Sequence, residues 1–315
     1  KPEIDTMDTF ACSSWYFFRF ADPRNEQEFA SKEAVRKWLP VDLYVGGAEH
    51  TVLHLLYARF FTKALRDMGC VSFDEPFLKL RHQGIILAED SRKMSKRWGN
   101  VINPDTMAER FGADALRMYE MFMGPLEAMK PWSTKNIAGL ERFLERVWKL
   151  AHQPLTDAPA APKLEATLHK TAKKVGEDIE AFKFNTAVSQ MMICLNEMEE
   201  AEALRKGQWT AFLRLLAPFA PHMAEELWER LGESGLICQA SWPEFDPAKI
   251  ISDTTIVAVQ VNGKVRAKIE LAAGAGEQEA LAAARGEPLV AKWLEGKAEQ
   301  KAIFVPGKIV SFVVE

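Results

Sequence analysis

One short stretch, Lys93-Met94-Ser95-Lys96-Arg97 followed by Trp98-Gly99-Asn100, carries the strongest chemical signal in the chain. Between Lys79 and Arg97 stand six basic residues (Lys79, Arg81, Arg92, Lys93, Lys96 and Arg97) and only two acidic ones, Glu89 and Asp90. Two lysines three apart, beside a small hydroxyl and just before a glycine, make a cationic loop suited to polyphosphate. A lysine ammonium is a compact charge with three donors, able to follow moving phosphate oxygens better than a fixed guanidinium fork. A solvated basic turn has the same composition, so the run alone names no ligand. A second signal is Val41-Asp42-Leu43-Tyr44-Val45, a β-favouring run that stops at Gly46-Gly47 and leads into a helical pattern. Strand, glycine turn and helix form the α/β signature in which ligands sit beyond the carboxyl ends of strands.

The elements that must hold these residues follow from periodicity. Val52, Leu55, Leu56 and Phe60 recur at helix spacing towards Leu65, and a second β-rich unit spans Phe77–Leu80 and Gly84–Leu87. Asn103-Pro104 reads as an N-cap and first helical position. The helix it opens carries Met107, Phe111, Ala115, Met118 and Phe122 on one face and ends near Gly124-Pro125. From about Lys135, long helical patterns take over: Ile137–Leu150, Leu164–Phe182, Asn185–Arg205 and Trp209–Leu231. They predict an antiparallel bundle. The last unit alternates over Thr255–Val261, turns at Asn262-Gly263, returns over Val265–Leu271 and closes with a helix over Glu277–Leu294 and two short strands. The expected domains are therefore 1–134 (α/β), 135–235 (all-α) and 252–315 (small α+β).

With 315 residues the chain is long enough to bury a sizeable core without disulfides or a structural metal. Its net charge of -4 excludes a wholesale electrostatic nucleic-acid binder but leaves room for local basic stripes. Cys12, Cys70, Cys194 and Cys238 are too scattered for a metal knuckle or a CxxC pair, so no metal site is expected. Scattered thiols and the lack of any long apolar run point to the cytoplasm and away from membranes. The opening residues lack both an initiator Met and a signal-like apolar region, which suggests processing or a piece of something longer.

The pentapeptide Lys93–Arg97 resembles the KMSKS signature of class I aminoacyl-tRNA synthetases and departs from it only at Arg97. Its place after a β-rich segment and before a helix is also the family's. Thr9-Phe10-Ala11-Cys12-Ser13-Ser14-Trp15-Tyr16-Phe17, preceded by Asp8, closely resembles leucyl-tRNA synthetase of the bacterial type. So do Asp42–His50, Leu53–Phe60 and His82-Gln83-Gly84, while Val259–Arg266 is similar to the family's carboxy-terminal tRNA-contacting domain.

This resemblance implies a leucine–tRNA ligase that forms leucyl-adenylate from leucine and ATP, with Mg²⁺ on the nucleotide, and transfers the leucine to tRNA. Phe10, Ser13, Tyr16 and His50 match the leucine pocket. Gly46, Gly47 and Glu49 match the adenosine site, where paired glycines let the backbone approach and a carboxylate can accept from ribose hydroxyls. Lys93, Met94, Ser95 and Lys96 complete the ATP site, with Lys93 and Lys96 as the catalytic cations. Lys264, Arg266 and Lys268 match the tRNA-contacting tail, and in a regular strand they would form a stripe on one face. No HIGH-like tetrapeptide is found, nor the family's editing and zinc-binding segments. The chain is thus expected to be a carboxy-terminal portion that needs a separate amino-terminal half. A non-catalytic tRNA-binding subunit and a sister ligase for isoleucine, valine or methionine are the rival readings.

Overall fold

The computed structural model describes residues 4, 9–158, 161–250, 254–272 and 275–315, so Asp8 of the first motif lies outside it. The chain divides into two compact units, residues 1–151, 175–192 and 216–232, and residues 152–174, 193–215 and 233–315. No described helix is long and apolar enough to cross a membrane.

The first unit begins with three short helices, α1 (Thr9–Ser13), α2 (Tyr16–Ala21) and α3 (Lys32–Trp38). Strand β1 (Tyr44–Gly47) leads through one 3-10 turn into α4 (His54–Asp67). Four residues of β2 (Leu80–Gln83) run parallel to β1, pairing Tyr44 with Leu80 and Gly47 with Gln83. Phe17 and Phe18 of α2 pack with Val35, Leu39, Ala58 and Val71, which joins α2, α3 and α4 in one core. Burying aromatic and aliphatic side chains of this size is the main favourable term, at about 1.5–3 kcal/mol each.

After β2 the chain passes through Gly84, whose amide donates to the Leu126 carbonyl at 2.7 Å. A Cβ on Gly84 would collide with the Ala128 carbonyl, so only glycine fits this crossing. Strand β3 (Ile86–Leu87) then pairs in parallel with β4 (Lys130–Pro131), and the basic loop lies between them in sequence.

Two helices fill the interval where one amphipathic helix is expected, α5 (Pro104–Phe111) and α6 (Ala113–Phe122). Gly112 breaks them at φ 88°, a left-handed conformation that glycine tolerates and other residues resist. Helix α7 (Thr134–Leu150) buries Ile137, Leu140, Phe143, Leu144, Val147 and Leu150 on one stripe. Its first amide donors are taken by side chains from the preceding α/β segment. Glu89 Oε1 accepts from the Thr134 amide at 2.8 Å, and the Tyr119 hydroxyl accepts from that of Ser133 at 3.0 Å.

Helices α8 (Pro162–Glu180), α9 (Phe184–Glu200), α10 (Lys206–Leu216) and α11 (Pro221–Arg230) follow. The long pattern Trp209–Leu231 is thus two helices, because Pro218 and Pro221 lack the amide hydrogens that a continuous helix needs. Asp114 of α6 caps α11 from outside: its carboxylate accepts from the Met223 amide and the His222 ring, each at 2.8 Å.

After the short α12 (Pro247–Ile250), the tail is a four-stranded sheet in the order β6-β5-β8-β7. Strands β5 (Thr254–Val261) and β6 (Lys264–Ala272) form the expected hairpin, with Asn262 at φ 50° and Gly263 at φ 75°. Helices α13 (Glu277–Gly286) and α14 (Pro288–Leu294) replace the single helix expected there, with Pro288 opening the second. Strands β7 (Glu299–Val305) and β8 (Ile309–Val314) complete the sheet, β8 running parallel to β5. Val257, Val259, Ile269, Val310 and Phe312 pack beneath Ala280, Ala284 and Val290 of the two helices.

Candidate functional site

Beyond the carboxyl ends of β1 and β2 opens a cavity of about 480 Å³. Phe10, Ser13 and Tyr16 line it from α1 and α2, Gly46 and Gly47 from β1, and His50 from the turn that follows. Six residues matched to leucine and adenosine from distant stretches therefore share one cavity. Helix α1 holds its wall through side-chain bonds to its own backbone: the Ser13 and Ser14 hydroxyls both donate to the Phe10 carbonyl.

Sequence reasoning missed the support behind this wall. The Tyr16 and Tyr44 hydroxyls are hydrogen-bonded at 2.5 Å, and Tyr44 is bonded in turn to His54 Nε2 at 2.7 Å. Burial, reinforced by the Tyr16 hydroxyl, pushes the Tyr44 phenol well above its ordinary range, so it stays a neutral hydroxyl. Burial, with the nearby His50 ring, lowers His54 and favours its uncharged form. His54 Nδ1 is buried without a hydrogen-bond partner among the described residues, so the bond to Tyr44 orients this ring. His82 also lines the cavity, and its Nδ1 donates to the Gly46 carbonyl at 2.9 Å, fixing the glycine backbone. The His50/His54 spacing of one helical turn was the available signal, but either histidine alone reads as an ordinary core residue.

Glu49 does not line the cavity. Its carboxylate folds back over Gly47, where a Cβ would meet it. Lys93, Met94, Ser95 and Lys96 lie outside the lining as well. Their loop is held by its own backbone: Asn100 Oδ1 accepts from the Ser95 amide at 2.9 Å, and Ser95 Oγ accepts from that of Arg97 at 3.2 Å. Arg92 and Arg97 rest on the Trp98 ring, at 5.1 and 5.6 Å from its centre. Lys93 and Lys96 are both exposed, and neither is paired with a carboxylate among the described residues. The loop thus presents two uncommitted ammonium groups on a stapled backbone, suited to a polyphosphate.

In the tail, the register corrects the expected stripe. Val259 pairs with Ala267 but Gln260 with Val265, leaving Arg266 as an extra residue in β6. This bulge reverses the alternation. Lys264 pairs with Val261 on the core-side face, and Lys268 with Ala258 on the opposite one. Arg266 instead stacks its guanidinium 3.5 Å from the centre of the Trp293 ring.

Comparison with known proteins agrees with this architecture. Residues 2–130 match the model of class I tRNA synthetases (I, L, M and V), and residues 163–281 that of the anticodon-binding domain of tRNA ligases. Two solved structures of methionyl-tRNA synthetase from Mycobacterium tuberculosis share the fold, at 19% and 18% identity with TM-scores of 0.51 and 0.53. They cover 64% and 69% of this chain and 46% and 48% of theirs. Over residues 2–130 the chain is therefore similar to the class I tRNA synthetases.

The chain is a homologue of leucine–tRNA ligase. It is 50% identical over 320 residues to the leucine–tRNA ligase of Bdellovibrio bacteriovorus, which covers all of this chain and 40% of that protein. The crystal structure of the ternary complex of Agrobacterium radiobacter K84 agnB2 LeuRS with tRNA and LeuAMS matches 99% of this chain and 43% of its own. Its TM-score is 0.74 and its identity 33%. The chain therefore spans about two fifths of the length of these relatives.

Proposed function

We propose that the chain carries the leucine cavity and the pyrophosphate-handling loop of a leucine–tRNA ligase. The observation that carries this reading is the convergence of Phe10, Ser13, Tyr16 and His50 with Gly46 and Gly47 on one cavity. Phe10 and Tyr16 shape an apolar recess for the leucine side chain, and Tyr44 and His54 hold Tyr16 in place. Gly46 and Gly47 admit the adenosine, and Glu49 swings from Gly47 to accept from the ribose hydroxyls. The leucine carboxylate attacks the α-phosphorus of ATP and pyrophosphate departs, with Mg²⁺ arriving on the triphosphate as part of the substrate. Lys93 and Lys96 stabilise the charge that develops on the leaving group. The bulge region of β6 (Lys264, Arg266 and Lys268) and the residues matched to anticodon binding serve tRNA.

Val45 and Leu80, on paired strands beside the cavity, are 49% and 41% exposed. Parallel strands are ordinarily covered on both faces, so in this reading a further part of the catalytic domain completes the sheet and closes on the nucleotide. Amino-acid-dependent pyrophosphate exchange tests it, with the chain alone and combined with the amino-terminal remainder of a related leucine–tRNA ligase. Exchange with leucine only in the combination is the expected result. No exchange with any amino acid would favour a non-catalytic tRNA-binding role, and exchange with isoleucine, valine or methionine a sister ligase.

A further inference from the structure

We propose that the recess bounded by α7, α11 and the first turn of α6 is a docking site for an arginine-bearing segment of a partner protein. The recess encloses about 680 Å³, more than the leucine cavity, and shares no lining residue with it or with the basic loop. Leu144, Trp148 and Met223 contribute an apolar floor. Four carboxylates stand in its lining, Asp114, Glu141, Glu145 and Glu226, against a single lysine, Lys149. Such a lining repels a nucleic-acid backbone and attracts an organic cation.

Two of these carboxylates already have work: Asp114 caps α11, and Glu226 accepts from Arg230 Nε at 2.7 Å. Glu141 and Glu145 do not. They lie one turn apart on α7, a like-charge spacing that destabilises a helix, and neither is paired with a cation among the described residues. A positive group from outside the chain would relieve that repulsion.

The geometry that would receive it is already displayed once at the edge of the recess. The Arg230 guanidinium lies 4.4 Å from the centre of the Trp148 ring while bonded to Glu226. Aromatic face plus carboxylate suits a planar guanidinium better than a lysine ammonium. With Glu141 and Glu145 aligned along α7 beside an apolar floor, the recess fits an arginine flanked by apolar residues.

Calorimetric titration of the 315-residue chain with the peptide acetyl-Leu-Arg-Leu-amide tests this. The same peptide with citrulline, uncharged but nearly isosteric, is the control. Arginine should bind at least tenfold tighter than citrulline. The double substitution Glu141→Gln and Glu145→Gln should weaken the arginine peptide at least fivefold, while a leucyl-adenylate analogue binds unchanged. Saturating tRNA should not displace the peptide. Equal affinity for the two peptides, or an unchanged affinity in the double variant, would overturn the proposal. So would binding of N-acetylargininamide as tightly as the peptide, which would assign the recess to a free metabolite. Displacement by tRNA would assign it to nucleic acid.

Discussion

Replacing Asp114 by Ala removes a cap that reaches α11 from another helix. The carboxylate accepts from the Met223 amide at 2.8 Å, the His222 ring at 2.8 Å and the His222 amide at a weaker 3.4 Å. Helix α11 opens with Ala220 and Pro221, and Ala220 makes no side-chain cap of its own. Losing an N-cap costs about 0.5–2 kcal/mol. Removing a negative charge from a partly buried helix N-terminus adds up to about 2 kcal/mol. The bond to the His222 ring adds little, because that side chain is 74% exposed and water replaces the partner. The expected loss is about 1–4 kcal/mol, concentrated on α11. Hydrogen exchange followed by mass spectrometry reads it locally, which matters because a chain of two compact units need not unfold in one step. At tenfold per 1.4 kcal/mol, amides of Ala224–Leu231 should exchange about 5- to 700-fold faster. His222→Ala should change them by less than about fivefold. A change below threefold in Asp114→Ala would refute the cap, as would an equal effect of the two substitutions.

Other outcomes follow from the same geometry. Tyr44→Phe strips His54 of its bond and Tyr16 of its anchor; it should cost about 1–3 kcal/mol in denaturant unfolding and also weaken a leucyl-adenylate analogue. Unchanged values of both would discard the relay. Glu75, beside Arg59 at 2.7 Å and Lys63 at 3.2 Å, is pulled down to about 2, chiefly by the Arg59 hydrogen bond. A lowered carboxylate contributes stability that is present above its unfolded pKa of about 4.3 and is lost as pH falls towards 2. The group is 41% exposed, so solvent screening limits the effect to about 1 kcal/mol, and urea titrations at pH 5.5 and 2.5 should show that difference vanish in Glu75→Gln. In the combined enzyme, Lys96→Ala should slow adenylate formation about 10²–10³-fold in rapid-quench experiments, and a rate within twofold of wild type would remove this lysine from the mechanism.

Local signals carried much of this structure. Asn103 caps α5 as its type and the following proline foretold, with Oδ1 accepting from the Asp105 amide at 2.9 Å. Asn262-Gly263 makes the tight hairpin because both residues adopt the positive φ that such a turn requires. Breaks were harder to read. Met107, Phe111, Ala115 and Met118 keep helical spacing straight through Gly112, so periodicity could not reveal a kink that preserves the buried face. The bulge at Arg266 was hidden for a similar reason, since alternation assumes one residue per step and a single extra residue moves Lys264 and Lys268 to opposite faces. Phe10, Ser13, Tyr16 and His50, singled out by resemblance alone, line one cavity beyond β1 and β2. The Tyr16–Tyr44–His54 chain was not legible, because it exists only once α2, β1 and α4 have come together.

Selectivity of the cavity for leucine tests the central claim most directly. Calorimetric titration would compare non-hydrolysable adenylate analogues bearing leucine, isoleucine, valine and methionine, all sharing the same nucleotide. An apolar pocket separates aliphatic side chains by about 1–3 kcal/mol, so the leucyl analogue should bind at least about tenfold tighter than each of the others. Phe10→Ala should erase that preference while leaving the shared nucleotide contribution at Gly46 and Gly47. Equal affinity for all four analogues, or tighter binding of any other than the leucyl one, would contradict the account.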